Sequence, residues 1–481
     1  NIYLLQQRIA FQSQRAHSLP TQTERIKDFL DTLPYDLTNA QRKSTWEILQ
    51  DMTKPSPMNR LLQGDVGSGK TLVATIAILN TLTNKKQVAF MAPTEILAKQ
   101  HFESLREQIQ PFDGAIRLAL YTSSEQLITT DPELGGYTKT DTKTLLKLLV
   151  QGKIDCLIGT HSLISDKVVF KDIGLTIVDE QHRFGVNQRS KLQKDLTSIP
   201  DGTVETIPHF LSMSATPIPR TLALSIYGNL DVSILDELPA GRKEIQTKVV
   251  TPSNRPLMYA FIDKHLEAGR QAYVVCPRIE EDDESDLKAV DQVARTLQKG
   301  VFKHRRVGQL HGKLKSEEKE SIMKDFQEGR IDVLVSTSVI EVGVNVPNAT
   351  IMLIEGAERF GLAQLHQFRG RVGRGEHASF CFLCETKEDS EITNERLLAL
   401  EQAKSGFDLA EIDLQLRGPG QFVGNIQSGL PDVSMEALAK PELISLSRQA
   451  AKEIISQDPS LAKFPSIRKE LLHFTHHVHF E

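Results

Sequence analysis

The chain has 481 residues, which is enough for about three domains of ~150 residues each. Hydrophobic residues make up 40% and charged residues 25%, as in soluble globular proteins, and no apolar run reaches the ~18 residues that a membrane span requires. The net charge of -5 excludes a uniformly basic nucleic-acid-binding protein, although it is compatible with a local basic channel.

The N-terminal segment is polar, and its few apolar residues are spaced as in a helix. We predict a helical lead-in over residues 1–34, which ends in the proline-containing stretch DTLPYDLT. The sequence begins with Asn1 rather than Met and shows no secretory signal, so we expect a fragment of a longer protein. Four cysteines are too few for a disulfide scaffold and favour the reducing cytoplasm.

Short apolar runs alternate with amphipathic stretches over most of the chain. QVAFMAP, GLTIVDE and FLSMSAT belong to a first series, and QAYVVCP, IDVLVST and ATIMLIEG belong to a second. Buried strands that alternate with helices predict parallel sheets with helices on both faces. We therefore predict an α/β fold with one lobe over 35–238 and another over 239–388, without a residue-level repeat between them. For residues 389–481 we predict a helical hairpin, a glycine-rich loop, more helix and a ragged tail.

The segment GDVGSGKT, which starts the first series, matches the phosphate-binding pattern G-x-x-x-x-G-K-[ST]. It follows a short apolar run and opens a helical stretch. Backbone N–H groups of such a loop surround phosphate, and the helix N-terminus adds positive potential. We predict that Lys70 reaches the β and γ phosphates of ATP and that Thr71 binds Mg²⁺. The predicted nucleotide contacts in this loop are Gly64, Gly67, Ser68, Gly69, Lys70 and Thr71.

An acidic pair follows the apolar run LTIV. Asp179 is placed to hold Mg²⁺, and Glu180 to orient or deprotonate an attacking water. An acidic pair can also simply cap a strand. Because a phosphate-binding loop lies upstream, the pair favours ATP hydrolysis.

The stretch QFRGRVGRG in the second series carries Arg369, Arg371 and Arg374 among glycines. Guanidinium groups bind phosphate oxygens in a bidentate manner, and glycines permit close approach. We predict that Arg371 and Arg374 contact the γ-phosphate of ATP. A basic surface turn is the plain alternative.

Two clusters could be metal sites. Cys381 and Cys384 form a CxxC inside the apolar run ASFCFLCET, but no second CxxC accompanies them, which favours packing within a strand. The tail HFTHHVHF contains four histidines without carboxylate or cysteine partners. An ordinary chain terminus is therefore favoured over a metal site there.

Together, the motifs resemble those of superfamily 2 helicases and translocases. GDVGSGKT, DEQH, SMSATPIPR and QFRGRVGR are similar to motifs I, II, III and VI, MAPTEILAKQH to motif Ia, and STSVIEVGVNVPNA to motif V. LTNAQ resembles the adenine-reading Q motif. DEQHRFGV with the downstream LRGPGQFVG resembles the bacterial RecG family of branched-DNA translocases over about residues 35–430. This resemblance implies two tandem RecA-like lobes, with ATP and Mg²⁺ as cofactors.

Two other families share part of this pattern. The transcription–repair coupling factor has a similar motor and C-terminal motif, but it usually carries another Glu where this chain has DEQH. The primosomal replication-restart helicase usually carries a zinc-binding insertion, for which this sequence has no cysteine cluster.

The resemblance also implies roles for residues at matching positions. Gln41 is expected to read adenine, and His182, Ser214 and Thr216 are expected to couple hydrolysis to movement on DNA. A strand-end histidine and a Ser/Thr turn are, however, common in any α/β lobe. Loop residues are expected to grip DNA phosphates without reading bases. Candidates by position are Thr94, Thr160, His161 and Thr337.

The stretch LRGPGQFVG, residues 416–424, does not fit a second nucleotide loop. Its glycines spell G-x-G-x-x-x-G, no buried strand precedes them and no G-K-[ST] follows. A surface turn is one interpretation. The family resemblance implies instead a helical hairpin that leads into a translocation loop acting on duplex DNA. Arg396, Arg417 and Gln427 are then the expected coupling residues.

The implied function is an ATP-dependent motor on double-stranded DNA that remodels stalled forks, Holliday junctions and R-loops in recombination and repair. The implied protein is a cytoplasmic monomer without a membrane partner, and its partners are branched DNA and a single-stranded DNA-binding protein. The family's wedge domain normally precedes the motor and is expected to be missing here. A scaffold with a vestigial ATPase is one alternative, against which the intact Lys70, Asp179, Glu180 and Arg374 argue. An RNA helicase of the same superfamily is another, which RNA competition would distinguish.

Overall fold

Two mainly parallel β-sheets form the centre of the computed structural model. The structure describes residues 1–109, 112, 115–130, 136–180, 206–216, 230–239, 243–277, 283–337, 346–386, 391–403, 405–417 and 441–477. The chain divides into two compact units. The first unit comprises residues 1–64, 68–237 and 414–481, and the second comprises 65–67 and 238–413. This is the predicted α/β fold with two parallel-sheet lobes.

The first unit is built on nine strands. They are β1 (Asn59–Gly64), β2 (Gln87–Met91), β3 (Leu118–Tyr121), β4 (Gln126–Thr129), β5 (Tyr137–Lys139), β6 (Cys156–Gly159), β7 (Ile173–Val178), β8 (His209–Ser214) and β9 (Asp231–Leu235). Their order is β5-β4-β3-β6-β2-β7-β8-β1-β9. Every residue of β2, β6, β7 and β8 is buried, which is why these strands were visible as uninterrupted apolar runs.

The first six described α-helices form the N-terminal segment and pack against this sheet. They are α1 (Ile2–Gln12), α2 (Thr23–Asp31), α3 (Asn39–Met52), α4 (Lys70–Thr83), α5 (Glu95–Ile109) and α6 (Thr142–Val150). Helix α4 is buried continuously from Leu72 to Leu82, so it forms the centre of the hydrophobic core. No helix in the described part of the chain is long and apolar enough to cross a membrane.

One edge of the first sheet differs from the prediction of a purely parallel sheet. Strand β4 pairs antiparallel with β3, and β5 pairs antiparallel with β4. Only short connections join these strands, whereas a parallel pair needs a crossover of about a dozen residues or more. The local spacing therefore requires hairpins at this edge.

The second unit contains a six-stranded, wholly parallel sheet in the order β10-β15-β14-β11-β13-β12. The strands are β10 (Ile245–Val250), β11 (Gln271–Val275), β12 (Val307–Leu310), β13 (Val333–Ser336), β14 (Ala349–Glu355) and β15 (Ser379–Cys384). The helices are α7 (Arg255–Glu267), α8 (Asp283–Lys299), α9 (Ser316–Gln327), α10 (Leu362–Arg369), α11 (Glu391–Gln402) and α12 (Gly406–Arg417). Helices α11 and α12 occupy the place of the predicted hairpin.

The C-terminal residues contain the further helix that was predicted after the glycine-rich loop. They form two helices, α13 (Pro441–Gln457) and α14 (Pro465–His477), and the second extends into the stretch that was expected to be a ragged tail. Ala451 and Ile455 of α13 pack with Leu5 of α1 and with Leu461 in one hydrophobic cluster. These apolar residues recur at helical spacing, and their burial stabilises the helices.

A single glutamine organises the start of a central strand in each unit. Gln87 begins β2 and Gln271 begins β11, and both side chains are buried. Each donates two hydrogen bonds, one to a carbonyl near the end of a helix and one to a carbonyl just before the neighbouring strand. The acceptors are Leu149 and Ile154 for Gln87, and Phe326 and Ile331 for Gln271.

The neighbouring strand starts are also alike. The backbone N–H of Arg117 donates to the Asp155 carboxylate at 2.8 Å, and the N–H of Arg306 donates to Asp332 at the same distance. In return, the N–H groups of Asp155 and Asp332 donate to the carbonyls of Arg117 and Arg306, each at 2.9 Å. The two sheets therefore share these contacts at their amino ends, although the sequence shows no residue-level repeat between the lobes.

Candidate nucleotide site and coupling elements

The phosphate-binding loop joins the end of β1 to the start of α4. Gly67 has φ +79° and Gly69 has φ +88°, which is the left-handed region that favours glycine. The Lys70 ammonium donates to the carbonyl of Gly64 at 2.7 Å and so lies back over the loop. The N-terminus of α4 directs backbone N–H groups and the positive end of the helix dipole at the loop, which makes this end suited to an anion.

The loop residues fit a nucleotide phosphate with Mg²⁺. The Ser68 hydroxyl is buried and makes no hydrogen bond among the described residues, although burying a free hydroxyl is costly. A Cβ atom at Gly64 would lie 2.6 Å from that hydroxyl, so the loop has no room for a larger residue. Thr71 follows in the first turn of α4. Thr71 and Asp179 are the residues that would hold the metal.

Asp179 lies directly after β7 and is only 9% exposed. One carboxylate oxygen accepts a hydrogen bond from His101 Nε2 at 2.8 Å, and the other accepts from the backbone N–H of Glu180 at 3.0 Å. Burial alone would raise the pKa of Asp179, but the hydrogen bond and charge of His101 and the charge of Lys70 hold it below its usual range. The group is therefore kept as a carboxylate beside the phosphate-binding loop.

Glu180 has a strained backbone and reaches a third motif. Its φ is +51°, a left-handed value that costs a non-glycine residue roughly 1–2 kcal/mol. Its carboxylate accepts a hydrogen bond from the backbone N–H of Ala215 at 3.4 Å. The hydroxyls of Ser214 and Thr216 on either side lie 2.7 Å apart. Glu180 is thus joined to the loop that was predicted to couple hydrolysis to movement.

Two buried glutamines donate hydrogen bonds to backbone carbonyls in and near the phosphate-binding loop. Gln41 forms a capping box with Thr38 at the start of α3 and donates to the carbonyl of Ser68 at 2.8 Å. Gln63, near the end of β1, donates to the carbonyl of Thr216 at 3.3 Å. The role of Gln41 in reading adenine stays a prediction, to which the structure adds a contact with the loop itself.

The three arginines of QFRGRVGRG differ in their surroundings. Arg369 is 7% exposed, and burial lowers its pKa. It donates to the carbonyls of Leu400 at 2.9 Å and Ala403 at 3.3 Å, both at the end of α11. Arg371 and Arg374 lie beyond α10 and are half-buried. Arg369 is therefore a structural link to α11.

A second arginine connects the same elements in the opposite direction. Arg396, on α11, donates to the carbonyl of Phe360 at 3.0 Å, just before α10. Helix α10 and the hairpin helix α11 are thus held by Arg369 at one end and Arg396 at the other. Arg396 was predicted as a coupling residue from family resemblance, and its partner could not be identified from the sequence.

The remaining predicted residues lie near the ends of strands and helices or fall outside the described residues. Thr160 and Thr337 are buried just after β6 and β13, and the Thr94 hydroxyl accepts a weak hydrogen bond from the N–H of Leu97 at the start of α5. His161 is exposed at the start of a short 3-10 helix. His182 and Gln427 lie outside the described residues, as does the loop from residue 418, and Arg417 is the last residue of α12.

Cys381 and Cys384 are buried in β15 and are not joined by a disulfide. Burial raises the pKa of the Cys381 thiol to about 12. Across the described residues no group of three or more His, Cys, Asp or Glu side chains could hold a metal ion. Cys381 and Cys384 therefore pack within a buried strand.

Three protein-family models match successive parts of the chain. Residues 38–224 match the DEAD/DEAH box helicase family, 255–376 match the helicase conserved C-terminal domain, and 403–471 match the C-terminal part of domain 3 of the ATP-dependent DNA helicase RecG. The ATP-dependent DNA helicase RecG of Synechocystis sp. is 47% identical over 96% of this chain, and that of Bacillus subtilis is 46% identical over 93%. The chain belongs to the RecG family.

The RecG family also provides a solved structure. RecG bound to a three-way DNA junction is 40% identical, has a TM-score of 0.73 and covers 93% of this chain. The helicase MrfA bound to DNA and AMPPNP has a TM-score of 0.57 at 16% identity and covers 81% of this chain and 53% of its own, so it shares the fold alone. This chain spans 53% of the Synechocystis RecG, 63% of the Bacillus RecG and 56% of the RecG in the junction complex.

Sequence reasoning missed two residues of this RecG-family site. His101 lies in the motif Ia stretch MAPTEILAKQH, and neither it nor Gln63 was predicted to contact the site. Their side chains meet Asp179 and Thr216 across 78 and 153 positions of the sequence. Only the order of β2, β7, β8 and β1 in the sheet brings these residues together. A polar residue within an apolar run, such as Gln63 in RLLQG, is the signal that could have identified one of them.

Proposed function

We propose that this chain is the motor portion of an ATP-dependent double-stranded-DNA translocase that remodels branched DNA, including stalled forks, Holliday junctions and R-loops. The observation that carries the proposal is a half-buried set of hydrogen bonds in the first unit. It runs from the phosphate-binding loop through Gln63 to Thr216, and from Asp179 through Glu180 to Ala215. A change at the nucleotide would therefore reach the predicted DNA-coupling loop directly. The RecG-type C-terminal match supports duplex DNA as the substrate.

The proposed ATP chemistry assigns one role to each residue. Lys70 binds the β and γ phosphates, and Glu180 orients the attacking water and accepts its proton. Thr71 and Asp179 hold Mg²⁺, which when bound neutralises phosphate charge. Arg371 and Arg374 stabilise charge on the γ-phosphate.

The proposed coupling to DNA uses two routes. Ser214 and Thr216, together with His182, respond to hydrolysis in the first unit. In the second unit, Arg369 and Arg396 join α10 to the hairpin helices, beyond which Arg417 and Gln427 are proposed to act on DNA. Thr337 is proposed to contact DNA phosphate. On this proposal, the force of the motor reaches the loop after α12.

The proposed setting is cytoplasmic, and four reduced cysteines support it because disulfides are rare there. The proposed protein acts as a monomer on branched DNA, and a single-stranded DNA-binding protein is a proposed partner. The RecG relatives are longer than this chain, so junction processing is proposed for the protein together with its wedge domain.

The test is the ATPase rate with a fork, a linear duplex, single-stranded DNA and no DNA. We expect the fork to stimulate hydrolysis most and Lys70→Ala to abolish it, since the substitution removes the ammonium proposed to bind the β and γ phosphates. RNA duplex added in excess should not compete. The proposal is wrong if DNA fails to stimulate hydrolysis even in a protein that includes the wedge domain, or if RNA stimulates more strongly than DNA.

A further inference from the structure

A histidine outside the predicted catalytic set holds the predicted metal ligand. His101 lies on α5 and is 8% exposed. Its Nε2 lies 2.8 Å from an oxygen of the Asp179 carboxylate, and both side chains are nearly solvent-free. Because that carboxylate oxygen can only accept, Nε2 carries the hydrogen and donates.

The imidazole ring of His101 is fixed from a second direction. It stacks on Phe90 of β2, with ring centroids 4.6 Å apart and an angle of 32° between the planes. Phe90 is fully buried in the core of the first unit. The donor atom therefore sits on a rigid ring, so its position relative to the strand ends is set by packing.

The other oxygen of Asp179 accepts from the backbone N–H of Glu180. Two donors, one on each oxygen, fix the rotation of the carboxylate about its Cβ–Cγ bond. A carboxylate oxygen has two lone pairs, so each keeps one for a metal ion. Metal sites in proteins commonly hold their ligands in this way, through hydrogen bonds from residues that do not touch the metal.

We propose that His101 is a positioning residue that orients the Asp179 carboxylate for the Mg²⁺ of the bound nucleotide. This inference rests on the proposed ATP-dependent function and names the residue that prepares its metal site. His101 acts through the N–H donor at Nε2, and its contribution to packing against Phe90 is separate.

The experiment measures binding of a fluorescent ATP analogue, first in EDTA and then across a Mg²⁺ titration, without turnover. His101→Phe keeps an aromatic ring against Phe90 but removes the donor. His101→Gln places an amide N–H near the original Nε2. Glu107→Gln, at an exposed position of the same helix, is the matched control.

We expect His101→Phe to bind the analogue like the wild type in EDTA, while the Mg²⁺ concentration for half-maximal enhancement rises roughly 10- to 100-fold. His101→Gln should restore most of the Mg²⁺ response, and the control should match the wild type. An unchanged Mg²⁺ response in His101→Phe, or no recovery in His101→Gln, would overturn the inference.

Two further outcomes are distinguishable. If His101→Phe fails to fold and loses binding in EDTA, then His101→Asn replaces it, because its shorter amide does not reach the carboxylate. Equal Mg²⁺ responses of His101→Asn and His101→Gln would then overturn the inference. If the wild type itself binds no analogue with Mg²⁺, the proposed ATP-dependent function fails rather than the role of His101.

Discussion

Substitution of Arg369 by alanine should loosen the end of α11 without unfolding the second unit. The guanidinium donates to Leu400 O at 2.9 Å and, more weakly, to Ala403 O at 3.3 Å. A hydrogen bond from a charged donor contributes ~1.5–3 kcal/mol, so we expect the local opening free energy to fall by about 2–4 kcal/mol. Because 1.4 kcal/mol is a factor of ten, amide exchange there should accelerate roughly 30- to 700-fold.

Hydrogen exchange read by mass spectrometry is the suitable assay. The one tryptophan of the chain, Trp46, lies in the first unit and does not report on α11. The amide of Ala403, which donates to Ala399 O, belongs to the peptide to follow. Arg359→Ala, at an exposed position between β14 and α10, is the matched control. Unchanged exchange at α11, or equal acceleration across β10 to β15, would refute the reasoning.

Three further predictions concern Gly69, His209 and Arg417. Gly69→Ala should weaken nucleotide binding, because its Cβ would displace Gln41 Nε2, 2.2 Å away, and would strain the loop at φ +88°, whereas Gly269→Ala, with a similar φ and open space, should leave binding intact. Burial lowers the pKa of His209 from 6.5 to about 4, so only the unfolded chain gains a proton in that range. The free energy of unfolding should fall by up to about 3 kcal/mol between pH 6.5 and 4. Urea unfolding followed by tryptophan fluorescence should show a flatter pH profile for His209→Gln, and an identical profile would contradict the assignment. Arg417→Ala should reduce fork unwinding more than ATP hydrolysis, and equal loss in the two assays would argue for a plain surface turn.

The parts of the candidate site that lie within one short segment could be predicted from the sequence. The glycines of the phosphate-binding loop and the acidic pair after β7 have local reasons for their spacing, so roles for Lys70 and Asp179 could be proposed without coordinates. The partner of Asp179 could not, since α5 and β7 meet only through the order of strands. Likewise, the sequence placed Arg369 beside the predicted phosphate contacts Arg371 and Arg374 without assigning it a partner. Its carbonyl partners at the end of α11 become visible only when that helix packs beside α10.

Apolar periodicity predicted the strands that are buried on both faces. It did not predict the exposed strand at the edge of the first sheet. Strand β5 is exposed along its whole length, so no apolar run marks it, and the antiparallel edge was missed. The polar residues at the strand starts were missed for another reason. Gln87 and Gln271 are single residues in otherwise different sequences, and their equivalence lies in the carbonyls that they bind.

The matching strand starts separate a shared scaffold from the sites that it carries. Both units use a glutamine and an arginine–aspartate pair in the same places, and these polar contacts align neighbouring strands at the amino ends of the sheets. At the carboxyl ends the units differ, and in the sequence only the first carries G-x-x-x-x-G-K-[ST]. One kind of scaffold thus supports a half with the phosphate-binding loop and a half with the arginine-rich segment within a single chain.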